Sequence, residues 1–429
     1  MSLMSKNLGS EMYQVCTELF PICRSITGNG VRKTLDIIKQ HLPNLQIHEV
    51  RSGTKCFDWT VPKEWNISDA YIETLDGKKI LDFKKNNLHV ISYSTPVDEI
   101  IGLNKLKKHL YTLENNPEAI PYVTSYYEEK WGFCLSQHTL ESMKDEEYRV
   151  RIDSTLIDGY LTYAELIIPG KSKKEIFLST YMCHPSLANN ELSGPVLATF
   201  LAKYIQKMDR TFTYRIIFVP ETIGAIVYLS KHLEYLKEHV YSGFQLTCVG
   251  DNRTYSYLPT IKGNTITDKV IKHVLKHKTD SHQVYLFSDR GSDERQYCSP
   301  GVNLPVASLM RSKYGEYPEY HTSLDSLEVI SAEGLQGAFD AHVECFYLLE
   351  QNARYKATCI GEPQLGKRGL RSNTGGGLLT KYFRVVSDIL AYADGEMDLI
   401  DMGEMLNLYA RDLIPTIDTL LQEKLVERL

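Results

Sequence analysis

Apolar residues along this chain keep two rhythms, and the change from one to the other divides it. From Leu8 to Leu42 they recur at helical spacing, interrupted by Pro21 and by the turn-forming run Arg24-Ser-Ile-Thr-Gly-Asn-Gly30. That pattern predicts two helices, the second over about Val31 to Leu42, and a strand at Gln46 to Val50. Between Cys56 and about Asp158 the texture shifts to short alternating runs rich in Tyr and Trp, such as Ala70 to Glu73 and His89 to Tyr93, with one charged helix predicted near Val97 to Tyr111. This stretch reads as a separate, mostly β insertion.

From Tyr163 the pattern becomes strand, turn and helix in repetition. Strands are predicted at Ala164 to Ile168, Ile176 to Cys183, Tyr214 to Val219 and Phe244 to Gly250, with helices at Pro195 to Met208 and Gly224 to Glu238. A helix at Ile266 to His277, strands at His282 to Phe287 and Val306 to Met310, and a long helix from Ser331 to Gln351 follow. Continuously apolar strands imply burial on both faces, so the expected fold class is α/β, with helices covering a mostly parallel sheet. Beyond a Gly- and Lys/Arg-rich stretch at Arg354 to Gly377, three helices are predicted at Leu379 to Ala393, Met397 to Ala410 and Leu413 to Lys424, separated by short turns and sized like a winged-helix module. The expected organisation is residues 1–55 with 159–352 as one discontinuous domain, 56–158 as the insertion, and 353–429 as the C-terminal domain.

Composition changes this picture only by exclusion. With 429 residues, 43% hydrophobic and 24% charged, the chain is ordinary globular material. No apolar run reaches the roughly 18 residues that span a bilayer, and the first residues lack a basic-then-apolar order, so a cytoplasmic protein without membrane contact is expected. The nine cysteines are scattered, with no CxxC pair, and read as reduced thiols rather than a disulfide or thiolate–zinc framework. Net charge is −6, and from Lys381 to Leu429 five Lys/Arg stand against ten Asp/Glu. That count disfavours phosphate binding, so the C-terminal domain is expected to contact protein or itself rather than nucleic acid.

Candidate chemistry is positional. Three predicted strands run into His184, Glu221 and Asp251, and in open α/β sheets the ligand crevice lies outside the carboxyl ends of strands. An imidazole and two carboxylates are ligand types that Zn²⁺ accepts, and His321 follows in a loop after the last strand. Each residue alone would pass as a turn residue or a helix-starting charge; it is their joint placement that suggests a site. Arg24, Arg290 and Arg311 could clamp a substrate anion. The pairs Tyr126 with Tyr127 and Tyr255 with Tyr257 could stack on a sugar, and Gly375-Gly376-Gly377 reads as a turn. No Gly-x-Ser-x-Gly elbow marks a serine hydrolase.

The stretches Cys183-His184-Pro185, Asn189-Asn190-Glu191-Leu192-Ser193-Gly194, Pro220-Glu221-Thr222-Ile223-Gly224, Gly250-Asp251, Gly291-Ser292-Asp293, Pro300-Gly301-Val302 and Tyr320-His321-Thr322-Ser323-Leu324-Asp325 resemble, in order and spacing, the zinc exopeptidases of the leucyl aminopeptidase and glutaminyl cyclase type. The whole chain, with Arg24-Ser-Ile-Thr-Gly28, resembles a bacterial subfamily of aminopeptidase-like proteins associated with polysaccharide biosynthesis, which carry an inserted small β domain and a C-terminal winged-helix-like domain. The resemblance implies a three-layer zinc-exopeptidase-like fold and a metal-dependent hydrolase of an amide or peptide bond. In it His184, Asp251 and His321 are metal ligands and Glu221 is the general base. Asn190, Glu191, Asp293 and Arg24 are further metal or substrate contacts, and Asp293 and Asp325 could orient ligating histidines. Asn190 stands where the family places a bridging Asp, and Thr222 where it places a Glu of the second metal site. One zinc ion is therefore expected, with a small-molecule or peptide substrate. The alternative is a catalytically impaired relative that binds a small molecule or carbohydrate precursor.

Overall fold

The computed structural model describes residues 8–126, 128–370 and 381–429. The predicted turn at Gly375–Gly377 and the candidate Tyr127 lie outside them. Two compact units divide the chain, Met1–Thr267 with His282–Asp340, and Asp268–Ser281 with Ala341–Leu429.

The first unit is built on an eight-stranded sheet. Its strands in chain order are β1 (Gln46–Arg51), β2 (Tyr160–Ile168), β3 (Glu175–Tyr181), β4 (Thr213–Val219), β5 (Val240–Leu246), β6 (Ser256–Leu258), β7 (Gln283–Val284) and β8 (Val306–Met310). Across the sheet they run β1-β2-β4-β3-β5-β8-β6-β7. The four central strands β4, β3, β5 and β8 are mutually parallel, while β1, β2 and β6 pair antiparallel. Every residue of β3 is buried, which matches its continuous apolar run. Its one charged member, Glu175, is held by two bonds from Arg215, at 2.7 and 3.0 Å, so the buried charge is paired.

Helices α1 (Leu8–Leu19), α2 (Asn29–His41), α3 (Ser193–Ile205) and α4 (Ile223–His239) belong to this unit. In α1 the buried Leu8, Met12, Val15, Cys16 and Leu19 fall at three- and four-residue intervals, one face of a helix. A π-type turn, Ala188–Leu192, leads into α3.

Between β1 and β2 the chain builds a separate four-stranded antiparallel sheet, ordered Lys79–Asp82, Glu64–Glu73, Glu147–Ile157, Val97–Gly102. Tyr148, Val150 and Ile152 point into its core beside Ala70, Ile72 and Phe133, and the alternating Arg149, Arg151 and Asp153 face out. The helix predicted over Val97 to Tyr111 is instead an edge strand followed by two short helical turns, Leu103–Leu106 and Lys107–His109. Long-range pairing with Glu147–Ile152 overrode the local charge pattern. His89 to Tyr93, predicted as a strand, makes only isolated bridges.

In the second unit a three-stranded sheet (Asp394–Asp398, Arg354–Ala357, Val426–Arg428) packs with helices Lys381–Tyr392, Leu399–Leu406 and Ala410–Gln422. The turn expected at Asp394-Gly395 is the start of a strand. Residues 268–281 and 341–352 join this unit beyond the expected boundary at 353. His273 and Lys276 bond to Glu404, and Glu344 bonds to Tyr409 and Arg411.

Candidate active site

His184 lies three residues beyond β3 and Glu221 two beyond β4, where two adjacent parallel strands open their carboxyl ends. Both line a pocket of about 270 Å³ together with His321, Cys183, Thr222, Arg295, Ile26, Tyr122 and Tyr126. His184 Nε2 stands 3.7 Å from Glu221 Oε2, and its ring centroid is 5.3 Å from that of His321. His321 sits at φ +55°, a conformation uncommon for a residue with a side chain, with the Tyr320 ring stacked on it at 3.9 Å.

His184 is fixed from behind. Its Nδ1 lies 2.9 Å from Glu191 Oε2, and its carbonyl accepts from Arg24 Nε at 3.0 Å. Arg24 is buried, donates also to the Leu19 carbonyl, and lies 3.6 Å from Glu191 Oε1. Burial, and after it the Arg24 charge, pushes the His184 imidazole down to about 3. Burial and then His184 hold His321 at about 3. Both rings are therefore neutral at physiological pH, the form that binds a metal. Burial pushes Glu191 up to about 8 against the opposing Arg24 charge.

Glu221 is aimed by an unusual turn. Thr222 adopts φ +63°, ψ −77°, and the Ile223 N–H donates to the Glu221 carbonyl at 2.8 Å, which makes a strained γ-turn around a β-branched residue. Two neighbours brace it. The Thr222 N–H donates to buried Asp293 Oδ1 at 2.7 Å, and Arg295 Nη2 donates to Thr222 Oγ1 at 2.6 Å. Burial, then Asp293, raises the Glu221 carboxyl well above the ordinary range, and burial pushes Asp293 to about 7.

Asp251 is not brought to the pocket. The strand predicted to end at Gly250 ends at Leu246, and the chain turns before Asp251. Its oxygens accept from Asn189 Nδ2, Arg253 N–H, Ser312 N–H and Ser312 Oγ at 2.8 to 3.1 Å, which fills the lone-pair sites of a carboxylate. Asn190 is likewise part of the framework: its Oδ1 accepts from Tyr181 and its N–H donates to Asp325. Asp325 also takes the Asn189 N–H and Tyr317 OH, and so shapes the turn before α3. Arg311 braces the Asp251 carbonyl and Asn252, and Arg290 lies over Phe287, so neither lines the pocket.

Among the described residues, the only His/Cys/Asp/Glu trio here with ligand atoms within 4.8 Å of one another is Cys183, His184 and Glu191. The Cys183 thiol is raised by burial, and its Sγ accepts the Glu221 N–H. That trio is a hydrogen-bonded prop for His184. The donors that face the pocket are His184 Nε2, His321 and Glu221, two neutral imidazoles and a carboxylate. These are ligand classes that zinc accepts, although the three ligand atoms do not all lie within 4.8 Å of one another.

Sequence reasoning missed Tyr122 and Arg295. Tyr122 comes from the insertion: its N–H donates to the His321 carbonyl at 2.8 Å, and its ring lies 4.8 Å from His184 and 5.2 Å from His321. Its hydroxyl meets that of Tyr126 at 2.8 Å. The Arg24–Gly28 run carries the same seam, with Ser25 bonded to Ser92, and Thr27 to Tyr93 and the Trp65 N–H. Its polar residues were a readable signal for a join, though not for its partners.

A central parallel sheet with histidine and glutamate at adjacent strand ends, a flanking insertion and a three-stranded helical unit defines an aminopeptidase-like α/β protein. A Clostridium acetobutylicum protein named for polysaccharide biosynthesis with an aminopeptidase-like domain is 47% identical over 427 residues, covering 99% of this chain and 97% of that one. A solved structure named as a peptidase from the same organism aligns with TM-score 0.92 at 46% identity, over 98% of this chain and 96% of that one. A zinc aminopeptidase from Bacillus subtilis shares the fold, with TM-score 0.58 at 15% identity over 80% of this chain and 94% of that one. Residues 353–428 match a winged helix-turn-helix family. Residues 13–352 match DUF4910, a domain of unknown function, and the chain belongs to that family.

Proposed function

We propose that the protein is a metal-dependent hydrolase of an amide bond, in a peptide or in an N-acyl group on a sugar precursor, with Glu221 as general base. The observation that carries this reading is that His184, His321 and Glu221 line one small pocket, with His184 Nε2 3.7 Å from Glu221 Oε2. His184 and His321 would hold a single zinc ion. When bound, such an ion polarises a carbonyl and lowers the pKa of water. Glu221, raised by burial, accepts a proton from the attacking water and passes it to the leaving amine. Glu191 fixes the His184 ring, and the braced Thr222 turn fixes Glu221. Tyr122 and Tyr126 wall the pocket and limit substrate size.

Elemental analysis of protein purified without chelator tests the metal. One zinc per chain, lost in His184→Ala and His321→Ala, is expected; no zinc even after soaking would overturn this mechanism. Glu221→Gln should lower turnover of an aminoacyl anilide by about 10²–10⁴-fold.

A second reading has one observation in its favour. The engagement of Asp251 and Asn190 in framework bonds leaves few ligands for an ion. In that case the pocket binds a small molecule without turnover, and Glu221→Gln leaves its affinity unchanged.

A further inference from the structure

Arg295 is the one Lys or Arg among the residues that line the active-site pocket. Its side chain is exposed, but its backbone is anchored in the short helix Glu294–Tyr297. There the Arg295 N–H donates to the Ser292 carbonyl at 3.2 Å, and the buried Tyr297 hydroxyl meets Ser179 Oγ on β3 at 2.7 Å. A guanidinium carries five N–H donors in a fixed plane. One of them donates to Thr222 Oγ1 at 2.6 Å, which pins the group beside the residue that follows Glu221. Among the described residues no other hydrogen bond engages it, and no carboxylate oxygen lies within 4.0 Å of it.

Glu221 and Asp293 lie within reach of its charge, yet both are engaged elsewhere: Asp293 Oδ1 takes the Thr222 N–H, and Glu221 Oε2 stands 3.7 Å from His184 Nε2. Bracing one hydroxyl needs a single donor and no charge, so the brace accounts for little of what this side chain offers. A planar fork with most of its donors open matches a carboxylate or a phosphate, which guanidinium groups grip with two parallel bonds. The proton path says which part of a substrate meets it. In the proposed reaction Glu221 gives its proton to the leaving amine, so the amine half of the substrate lies against Glu221 and, one residue on, against the fork held by Thr222.

We propose that Arg295 recognises an anionic group on the amine half of the amide, so that the substrate class is an N-acylated amine bearing a carboxylate or phosphate close to its nitrogen. Water adds to the acyl carbon, the C–N bond breaks, the acyl group leaves as a carboxylic acid, and the released amine keeps the anion. The inference rests on the hydrolase reading for the bond that is broken, and on Arg295 alone for the charge.

Calorimetric titration of the full chain with two matched pairs tests it: N-acetyl-L-leucine with neutral N-acetyl-L-leucinamide, and N-acetyl-D-glucosamine 1-phosphate with neutral N-acetyl-D-glucosamine. At least one anionic compound should bind about tenfold or more tighter than its neutral partner, and the pair that shows the difference separates a carboxylate from a phosphate. Arg295→Gln keeps an N–H donor but removes the charge. In that variant the ratio should fall to within about twofold, while the neutral compounds bind as before. A brace and nothing more would weaken charged and neutral compounds alike. That outcome, the absence of any preference for the anion, or a preference undiminished in Arg295→Gln overturns the proposal, the last by putting the anion at the histidines. Released amine, measured on the same mixtures, tests hydrolysis separately. No turnover of any compound counts against the hydrolase reading, while the binding ratio still decides the role of Arg295.

Discussion

Thr222 holds a β-branched side chain at positive φ because Asp293 and Arg295 grip it from two sides. Such backbone strain costs on the order of 1–3 kcal/mol. Thr222→Gly should therefore raise the melting temperature, since glycine tolerates that conformation. The same change should lower turnover, since it removes the hydroxyl that Arg295 holds and loosens the turn that aims Glu221; an unchanged rate would separate the turn from the chemistry. Asp251 behaves differently. Asp251→Asn places an amide against donors that now meet a carboxylate, a loss of about 1–3 kcal/mol for a buried group left unsatisfied. We expect lower thermal stability with zinc content per folded chain unchanged, measured by calorimetry and elemental analysis on the same preparation.

Where the insertion leaves and rejoins the main sheet, Glu64 acts as a clasp. It accepts from Arg32, Asn66 and the Tyr160 N–H, linking α2 to the starts of both connecting strands. Burial raises its pKa, but these bonds together outweigh that and leave it lowered. A depressed folded pKa means the contribution to stability is present above the unfolded value and lost as pH falls through the folded one. Glu64→Gln should flatten the acid limb of the stability–pH curve, and an unchanged limb would assign acid lability elsewhere. The helix Ala410–Gln422 of the winged-helix unit exposes Asp412 and Asp418 on its outer face, with Glu423 just beyond. An acidic face repels phosphates, so no salt-dependent retention on DNA is expected; retention that falls steeply with salt would overturn the expectation that this domain does not bind nucleic acid.

Cutting the chain after Asn352, at the join between the two matched families, should not yield a stable product. His273 is fully buried, with Nδ1 2.5 Å from Glu404 and Nε2 accepting the Ala410 N–H at 2.9 Å. Removing both partners leaves a buried imidazole unsatisfied at each nitrogen and uncovers Tyr409-packed rings. Aggregation of residues 1–352, read by size-exclusion chromatography, is the expected outcome, and a monomeric, cooperatively melting product would contradict it. The continuous apolar runs dictated buried parallel strands, since only a sheet covered on both faces accommodates them, and β8 is found over the predicted residues. Regular spacing placed α1 and the helix Ala332–Gln351, and the strand ends drew attention to His184 and Glu221. Sequence could not end β5 at Leu246, because the apolar run continues through Cys248 and Val249 into buried coil; that shift of a few residues is what gives the Asp251 carboxylate to Ser312 and Asn189. Nor could local pattern reveal that Tyr122, which precedes the ends of β3 and β4 by about 60 and 100 residues, would stand against both histidines. Its position depends on the insertion folding back onto the loop at His321, a long-range pairing that only the assembled backbone specifies.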